Sequence, residues 1–440
     1  MIKRFFRRVL GLGSGKPVRV PRTRHRLARS ALSPAALKTC EGLRGAGFEA
    51  YVVGGAVRDL LLGIEPKDFD VATDARPEQV KPLFRRALLI GRRFRLVHVM
   101  VGHETVEVST FRAADPETAE KSEHGRVLRD NVFGTQEEDA RRRDFTVNAL
   151  YFDPATEQIV DYHGGLADLR KRVLRMIGDP ETRYREDPVR MLRAVRLGAK
   201  LGLTLDPDTR APIRELAPLL EFVPPARLFD EMLKLLLSGH ASACVRELRE
   251  VGLHNGLLPL LDVILEQPLG ERFVTLALAQ TDERVRSERP VSPAFLFAAL
   301  LWHEVLAAWK ARQAHGERPL AALDTAMDEV LDAQCKKLAI TRKLTATMRE
   351  VWSMQPRFEQ RSGQRPYRLL ESPRFRMGYD FLALRAASGE VSADAEAWWR
   401  AFQEADAESR RAMLMPEAAP KKRRRRRRKK PAEADAAHKP

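Results

Sequence analysis

The chain has 440 residues, of which 44% are hydrophobic and 31% charged, and this length allows a sizeable buried core and more than one domain. Its three cysteines, Cys40, Cys244 and Cys335, fit neither a zinc site nor a disulfide framework, which favours a reducing compartment. The start of the chain lacks the apolar core of a secretory signal, and no apolar run approaches the ~18 residues that span a bilayer, so we expect a cytoplasmic protein without stable membrane insertion.

The positive charge is concentrated at the two ends of the chain. Residues 1–40 contain eleven Lys/Arg and no acidic residue, and residues 421–430 are ten consecutive Lys/Arg. Removing these segments, and the net −1 of residues 431–440, from the total of +17 leaves −3 for the rest. Basic ends without a sustained amphipathic helix favour RNA or DNA over a membrane as the partner, and a tail that only raises solubility is the alternative. We expect disorder at both ends.

A helix predicted over residues 35–46 leads into a strand, a glycine turn and a second helix. Val52 and Val53 are typical of a buried strand, Gly54 and Gly55 of a turn, and residues 57–62 of a short apolar helix. The turn leaves free N–H groups at a helix start. This is a candidate phosphate cradle, to which Arg58 would add a forked donor.

Two carboxylates follow in an extended segment after Pro66. Asp68 and Asp70 share one face because they are two residues apart on a strand. They repel each other unless a cation lies between them, and oxygen ligands favour Mg²⁺ or Mn²⁺. Each feature alone is common in turns and on solvated strands. The order of strand, glycine turn, helix and Asp-x-Asp favours a nucleotidyltransferase head, in which such metals serve nucleotidyl transfer.

A hairpin is predicted next, with strands over residues 95–101 and 106–111. Glu107 lies between Val106 and Val108 and therefore points away from the valine face. It is either the third carboxylate of a metal site or an ordinary solvated strand residue.

Three consecutive arginines precede an aspartate further along the chain. Arg141, Arg142 and Arg143 adjoin Asp144 in a segment, residues 141–150, that we predict to be helical. The arginines suit a triphosphate, and the aspartate suits a ribose hydroxyl or a metal. The alternative is a helix start with Asp144 near the cap.

Another helix opens at Pro188, with Glu186 and Asp187 at its positive end. Three arginines spaced three apart form one basic ridge on it: Arg190, Arg193 and Arg196. A carboxylate and an arginine at this spacing can hydrogen-bond a purine edge, whereas the plain alternative is a salt-bridged surface helix. From about residue 200 to 400 the pattern is helical.

Five motifs in this order resemble the class II nucleotidyltransferases, the group that contains the bacterial poly(A) polymerases and CCA-adding enzymes. They are residues 54–59, 67–71, 107–112, 142–148 and 185–190. These motifs do not separate A-adding from CCA-adding members. Residues 89–98, with the sequence LIGRRFRLVH, and the Arg/Lys tail are typical of the poly(A) polymerase branch.

The resemblance implies an α+β fold, with an N-terminal nucleotidyltransferase head built on a mixed five-stranded sheet and helical neck, body and leg regions after it. The expected segments are a disordered basic arm (1–30), the head (31–175), a neck with the nucleotide-recognition helix (176–255), a helical RNA-binding body (256–412) and a disordered basic tail (413–440).

The resemblance also implies addition of AMP from ATP to RNA 3′ ends without a template, in mRNA processing and turnover, with Mg²⁺ or Mn²⁺. Asp68 and Asp70 would hold the metals, Asp144 matches a family active-site aspartate, and Glu107 matches a carboxylate sometimes counted as the third. The expected nucleotide-binding residues are Gly54, Gly55, Arg58, Arg112, Arg142, Arg143, Asp187 and Arg190. RNA-decay and RNA-chaperone proteins are candidate partners. A CCA-adding enzyme and a non-catalytic RNA-binding protein are the alternatives.

Overall fold

The computed structural model describes residues 17–91, 95–113, 132–253 and 268–416. The chain divides into two compact units, the first ending at Arg349 and the second beginning at Glu350. The first contains a mixed sheet and the helices that follow it, and the described part of the second is helical. The predicted α+β class, with a sheet-containing head before helical regions, is therefore confirmed. The finer segment boundaries stay predictions.

The head is built on an eight-stranded sheet. Its strands are β1 Val18–Val20, β2 Ala50–Val53, β3 Asp70–Thr73, β4 Ala87–Ile90, β5 Leu96–Val101, β6 Glu104–Thr110, β7 Leu150–Asp153 and β8 Gln158–Asp161. Their spatial order is β1-β8-β7-β2-β3-β6-β5-β4. Neighbours pair antiparallel except β3 and β6, which are parallel. A separate parallel pair joins β9 Val173–Leu174 to β10 Thr204–Leu205.

The sheet has more strands than the five implied by the resemblance, and one of them comes from the basic arm. The prediction of disorder is wrong for residues 17–30, because β1 pairs with β8 at the sheet edge. Glu157 anchors the segment by accepting hydrogen bonds from the Arg22 guanidinium and the Arg29 backbone N–H, and Leu27 is buried. Residues 1–16, Arg92 to Phe94 of the branch-typical stretch and the tail from residue 417 lie outside the described residues.

The helices of the head lie between the strands in sequence. They are α1 Arg22–His25, α2 Pro34–Gly45, α3 Gly55–Leu61, α4 Pro77–Val80, α5 Gln136–Arg142 and α6 Gly165–Arg170. Helix α2 begins where the Ser33 hydroxyl accepts a hydrogen bond from Ala36 N and Pro34 takes the first turn. Its buried face packs against the central strands β2, β3, β5 and β6.

Further helices continue the first unit, and the last of them crosses the boundary between the units. They are α7 Pro180–Glu186, α8 Val189–Leu201, α9 Pro207–Arg210, α10 Ile213–Leu216, α11 Pro225–Leu236, α12 Ala241–Glu250, α13 Pro268–Arg286, α14 Pro293–Ala314, α15 Pro319–Lys337 and α16 Arg342–Met354. The second unit adds α17 Arg365–Leu370, α18 Phe375–Ser388, α19 Ala393–Glu404 and α20 Ala407–Met413. Its core contains the fully buried Trp399 and the rings of Phe358 and Phe402 around it.

Among the described residues, α14 alone is long and apolar enough to cross a membrane by length and composition. The prediction that no stretch approaches this length is therefore too strict. In the most apolar 18-residue window of this helix, 56% of the residues are buried inside the protein. A core helix of a soluble protein has the same composition, so α14 is weak evidence for a membrane span.

Candidate active site

Strand pairing places two of the predicted carboxylates side by side. The first residue of β3, Asp70, pairs with Val53 of β2 on one side and with Glu107 of β6 on the other. Glu107 in turn pairs with His98 of β5, whose Nε2 lies 3.8 Å from Glu107 Oε2. Asp68 precedes β3 and is exposed, whereas Asp70 is partly buried. The carboxylates of Asp68, Asp70 and Glu107 therefore lie near the start of β3.

The electrostatics of this strand end match a cation site. Burial and the neighbouring Glu107 carboxylate raise the pKa of Asp70 to about 6; Arg143 opposes this shift, and Asp68 adds to it. A divalent cation would relieve both the burial and the repulsion, and an all-oxygen donor set fits Mg²⁺ or Mn²⁺. In the described part of the chain no three His, Cys, Asp or Glu side chains are close enough to form a preassembled metal site.

The glycine turn lies directly beside this carboxylate. Gly54 has a φ of +76°, in the region that favours glycine. A Cβ on Gly54 would lie 3.3 Å from Arg143 Nη1 and 3.9 Å from Asp70 Oδ2. Any larger residue would therefore have a strained backbone and would crowd the Arg143 guanidinium, whereas its contact with Asp70 would be ordinary. The next residue, Gly55, begins the seven-residue helix α3, so the predicted short helix is confirmed and starts two residues earlier than expected.

Arg58, the predicted forked phosphate donor, is buried in this structure. Its Nε donates to Asp59 Oδ1 at 2.8 Å and its Nη1 to Asn148 Oδ1 at 2.6 Å. The second of these bonds ties α3 to the short 3₁₀ turn Thr146–Asn148. The geometry supports a scaffold role for Arg58 behind the glycine turn, and its contact with phosphate stays a prediction.

The arginine triplet ends a helix instead of beginning one. Helix α5 starts at a capping box formed by Thr135 and Glu138 and ends at Arg142, and the backbone is extended at Arg143. The prediction of a helix over residues 141–150 is therefore wrong, because the chain turns through the 3₁₀ segment into β7. Arginines at a helix C-terminus also complement its dipole.

The three predicted phosphate arginines of this region differ in their surroundings. Arg143 is held by the Asp139 carboxylate, with Nη2 to Oδ2 at 3.0 Å, and by the Tyr151 hydroxyl, with Nε to Oη at 3.0 Å. Arg142 and Arg112 are partly buried, and Arg112 lies near enough to Asp139 to lower its pKa. All three lie in the head, and Arg143 is the one shown beside Asp70.

Asp144 has both carboxylate oxygens occupied by protein donors. Oδ1 accepts hydrogen bonds from Phe145 N at 2.8 Å and Asn148 Nδ2 at 2.9 Å. Oδ2 accepts two from Arg193 of α8, from Nε at 2.9 Å and Nη2 at 2.6 Å. Burial alone would raise the pKa of Asp144, but Arg193 and these hydrogen bonds hold it well below its ordinary range. The residue therefore joins the head to α8.

The arginine ridge of α8 is ion-paired along its length. Arg190 Nη1 donates to Glu186 Oε2 at 3.0 Å and to the Arg183 carbonyl at 2.8 Å. Arg193 pairs with Asp144, and Arg196 lies 3.5 Å from the buried Glu231 of α11. The alternative of a salt-bridged helix is therefore correct in that the three arginines form ion pairs. Two of the partners, Asp144 and Glu231, lie far from α8 in sequence.

Asp187, the predicted base-reading carboxylate, follows α7, and its two oxygens differ in their surroundings. Its Oδ2 accepts a hydrogen bond from Arg227 of α11 at 2.6 Å. Its Oδ1 is buried and has no hydrogen-bond partner among the described residues. Sequence reasoning missed Arg227 and Glu231. Glu231 stands among the apolar positions of an amphipathic helix, and this placement is the signal from which it could have been predicted.

Three family models match the chain. They are the poly A polymerase head domain (residues 50–175), the probable RNA- and SrmB-binding site of polymerase A (202–265) and the arginine-rich C-terminus of polymerase A (315–431). Curated relatives named poly(A) polymerase I are 47% identical to it, in Salmonella typhi over 90% of this chain and 88% of the relative, and in Haemophilus influenzae over 86% of each. This chain belongs to the bacterial poly(A) polymerase family.

CCA-adding enzymes are similar over less of the chain or at lower identity. A Streptococcus pneumoniae CCA-adding enzyme is 43% identical over 46% of this chain and 50% of its own length. The crystal structure of the Bacillus stearothermophilus CCA-adding enzyme in complex with CTP aligns with a TM-score of 0.59 at 27% identity, over 87% of this chain and 82% of that one. The poly(A) polymerase family thus shares its fold with them, and the chain is a polynucleotide adenylyltransferase, as residues 89–98 and the Arg/Lys tail indicated.

Proposed function

We propose that this chain adds AMP from ATP to RNA 3′ ends without a template, with Asp68 and Asp70 as the metal-holding pair. The observation that carries the assignment is the pairing of Asp70 with Glu107 beside the Gly54 turn. This pairing concentrates negative charge at one point where a phosphate-bound cation would be held. The long match to poly(A) polymerase I relatives supports adenylate as the added nucleotide.

Asp68 and Asp70 would hold the divalent cation at the start of β3. When bound, Mg²⁺ or Mn²⁺ supplies the positive charge that lowers the pKa of the RNA 3′-hydroxyl and neutralises the triphosphate. The RNA 3′-hydroxyl oxygen would attack the α-phosphorus and release its proton to solvent, while the bond from the α-phosphorus to the bridging oxygen breaks and pyrophosphate leaves. Arg143, beside Asp70, would add positive charge on the phosphate side. Arg112 and Arg142 are proposed for the same role.

Glu107 is the better-placed candidate for the third carboxylate. It lies in register with Asp70, and its side chain is about half exposed. Asp144 has four protein donors on its two oxygens and a buried arginine partner. We therefore assign Asp144 to positioning the head against α8 and Glu107 to the reacting centre.

Asp187 and Arg190 are proposed to read the base. The buried Oδ1 of Asp187 is an acceptor without a partner in the described residues, and an exocyclic amino group of a base would satisfy it. Arg190 lies one turn along, with Glu186 and the Arg183 carbonyl fixing its guanidinium. Adenine and cytosine both carry such an amino group, so the second contact must supply the discrimination.

The proposed activity is tested with purified protein, a generic RNA, Mg²⁺ and each nucleoside triphosphate separately. We expect a long tract from ATP and little or no extension from the other three. Incorporation of CTP would identify a CCA-adding enzyme. Failure to incorporate any nucleotide, with RNA still bound, would identify the non-catalytic RNA-binding alternative.

Replacing Arg190 by Ala is expected to lower the preference for ATP over CTP about tenfold, because a buried polar base edge loses its partner. The measurement is kcat/KM for each nucleotide. Arg185→Ala is the matched control, since Arg185 forms an exposed pair with Glu181 in the preceding helix. An equal loss for all four nucleotides would assign Arg190 to structure alone.

Deleting residues 421–440 is expected to weaken RNA binding and flatten its salt dependence. The deleted segment contains ten consecutive Lys/Arg while residues 41–420 net −3, and each phosphate contact on a single strand contributes a slope of about −0.7. Affinity is measured at several salt concentrations, together with the transfer rate at saturating RNA, which should change little. An unchanged slope would leave the tail as a solubility segment.

The family models also support the proposed head boundaries and the proposed partners. The head-domain model over residues 50–175 supports the proposed head at 31–175. The match to a probable RNA- and SrmB-binding site over residues 202–265 supports RNA and a protein as partners of the helical region that follows. A cytoplasmic location is proposed from the sequence features and the family.

A further inference from the structure

Two buried side chains, Asp139 and Tyr151, form a hydrogen-bonded cluster with the partly buried Arg143, whose Nη1 lies near Asp70. Asp139 Oδ2 accepts hydrogen bonds from the Tyr151 hydroxyl at 2.6 Å and from Arg143 Nη2 at 3.0 Å and Nε at 3.3 Å. The Tyr151 hydroxyl also accepts one from Arg143 Nε at 3.0 Å. The Asp139 carboxylate and the Tyr151 hydroxyl therefore both accept hydrogen bonds from one edge of the Arg143 guanidinium, the edge formed by Nε and Nη2.

The opposite side of the Arg143 guanidinium, at Nη1, lies beside Gly54 and Asp70. Arg143 Nη1 makes a long hydrogen bond of 3.4 Å to the Asn148 carbonyl. It lies, together with Asp70 Oδ2, within 4 Å of the point that a Cβ on Gly54 would occupy. A guanidinium has five N–H donors. The bonds made among the described residues use three of them, so two remain for a ligand on this side.

The two anchors are themselves buried and hydrogen-bonded to each other, as a positioning role requires. Tyr151 is fully buried in the head core, where its ring contacts Tyr51 and Phe111 edge-on at centroid distances of 6.3 and 6.4 Å. Asp139 is also buried, on α5. Burial alone would raise the pKa of Asp139, but Arg143 and the Tyr151 hydroxyl lower it, so the carboxylate stays charged. The ion pair is therefore fixed from two elements, α5 and β7.

We propose that Asp139 and Tyr151 are positioning residues for the reaction: they hold Arg143 so that its Nη1 edge meets the triphosphate beside Asp70. The inference rests on the proposed function for the identity of the triphosphate. A free arginine side chain loses rotamer entropy each time it binds a phosphate, and one already held by two buried partners loses less. The cluster thus supplies a preorganised charge next to the metal-holding pair.

Tyr151→Phe removes one hydroxyl and keeps the buried ring. We expect kcat/KM for ATP to fall about tenfold, because one of the two anchors of a charged donor is lost, while KM for RNA stays unchanged. The matched control is Tyr184→Phe, since Tyr184 is equally buried and its hydroxyl donates to the Thr209 carbonyl. Both variants should lose a similar amount of stability, and only the first should lose activity toward ATP.

A double-mutant cycle separates action through Arg143 from general damage. In an Arg143→Ala background, Tyr151→Phe should lower kcat/KM for ATP no further, because the group that it positions is absent. The proposal is overturned if the two effects multiply, or if Tyr151→Phe and Tyr184→Phe give the same kinetics.

The test remains decisive if the wild-type protein transfers no AMP, a result that would reject the proposed function alone. In that case calorimetry with inorganic tripolyphosphate and Mg²⁺ compares the wild type, Tyr151→Phe and Tyr184→Phe. Weaker binding by about tenfold in Tyr151→Phe only would support the positioning role. Equal affinity in all three proteins, or no binding at all, would overturn it.

Discussion

Asp70→Asn is expected to abolish AMP transfer and, in metal-free buffer at pH 8, to raise the free energy of unfolding. The pKa of Asp70 is raised from its ordinary 3.8 to about 6 by burial and by Glu107. The ionised carboxylate therefore destabilises the folded state. A shift of this size corresponds to at most about 3 kcal/mol, and solvent at the partly buried site reduces this to roughly 1–2 kcal/mol. Activity is lost because a cation ligand is removed.

The pH dependence of this gain has a definite sign. For a group whose folded pKa is raised, the neutral form favours folding, so wild-type stability declines as the pH rises from about 4 to about 6 and the contribution is then fully lost. Asparagine does not titrate. Urea unfolding of both proteins should give equal midpoints near pH 4 and a more stable variant above pH 6.

Asp68→Asn is the matched comparison for this prediction. Asp68 is exposed, so its replacement should stop transfer with a smaller change in stability. Saturating Mg²⁺ should stabilise the wild type more than either variant, because a ligand that binds the folded state adds to its stability. Near wild-type transfer by either variant would mean that the metal-holding pair is wrongly assigned.

The second large effect is expected from Asp144→Ala, at about 3–5 kcal/mol of lost stability. The change leaves the Arg193 guanidinium, which is two-thirds buried, without its main partner, and the nearest other carboxylate, Glu231, lies 3.8 Å away. Removing one member of a buried ion pair costs more than removing both, because an uncompensated charge remains. We therefore expect Asp144→Ala combined with Arg193→Met to recover at least half of the loss.

Urea unfolding measures both proteins, with Glu181→Ala as a control from an exposed pair that should cost under about 1 kcal/mol. Because the pKa of Asp144 is held well below its ordinary range, its contribution is present above about pH 4 and declines in more acidic solution. A loss below 1 kcal/mol would refute the link between the head and α8. If the double variant is stable but transfers no AMP, Asp144 or Arg193 also acts on the substrate.

Several features of this protein follow from local patterns alone. Alternating residues predict the β5–β6 hairpin, because one face of a strand is buried and the other is not. The Gly54 turn has the positive φ that glycine favours, and Pro and Ser residues mark the starts of helices such as α2 and α14. These signals depend on neighbours within a few residues, so the sequence contains them in full.

The partners of the site residues depend instead on pairings across long stretches of chain. The register of β3 and β6 decides that Glu107 faces Asp70, and no local pattern contains a register between strands this far apart. The same limit explains the helix α5, which ends where a start was expected because the chain must turn into β7.

By itself the sequence determined the fold class, the family motifs and the residues that collect at the head: the glycine turn, Asp68, Asp70, Glu107 and the arginine triplet. Only the tertiary structure decided which charged side chains pair with one another. Arg58 and Asp144 belong to the same motifs, and their charges are paired with Asp59 and with Arg193. A motif records which residue type stands at a position, whereas burial and ion pairing arise from elements that meet only when the chain is folded.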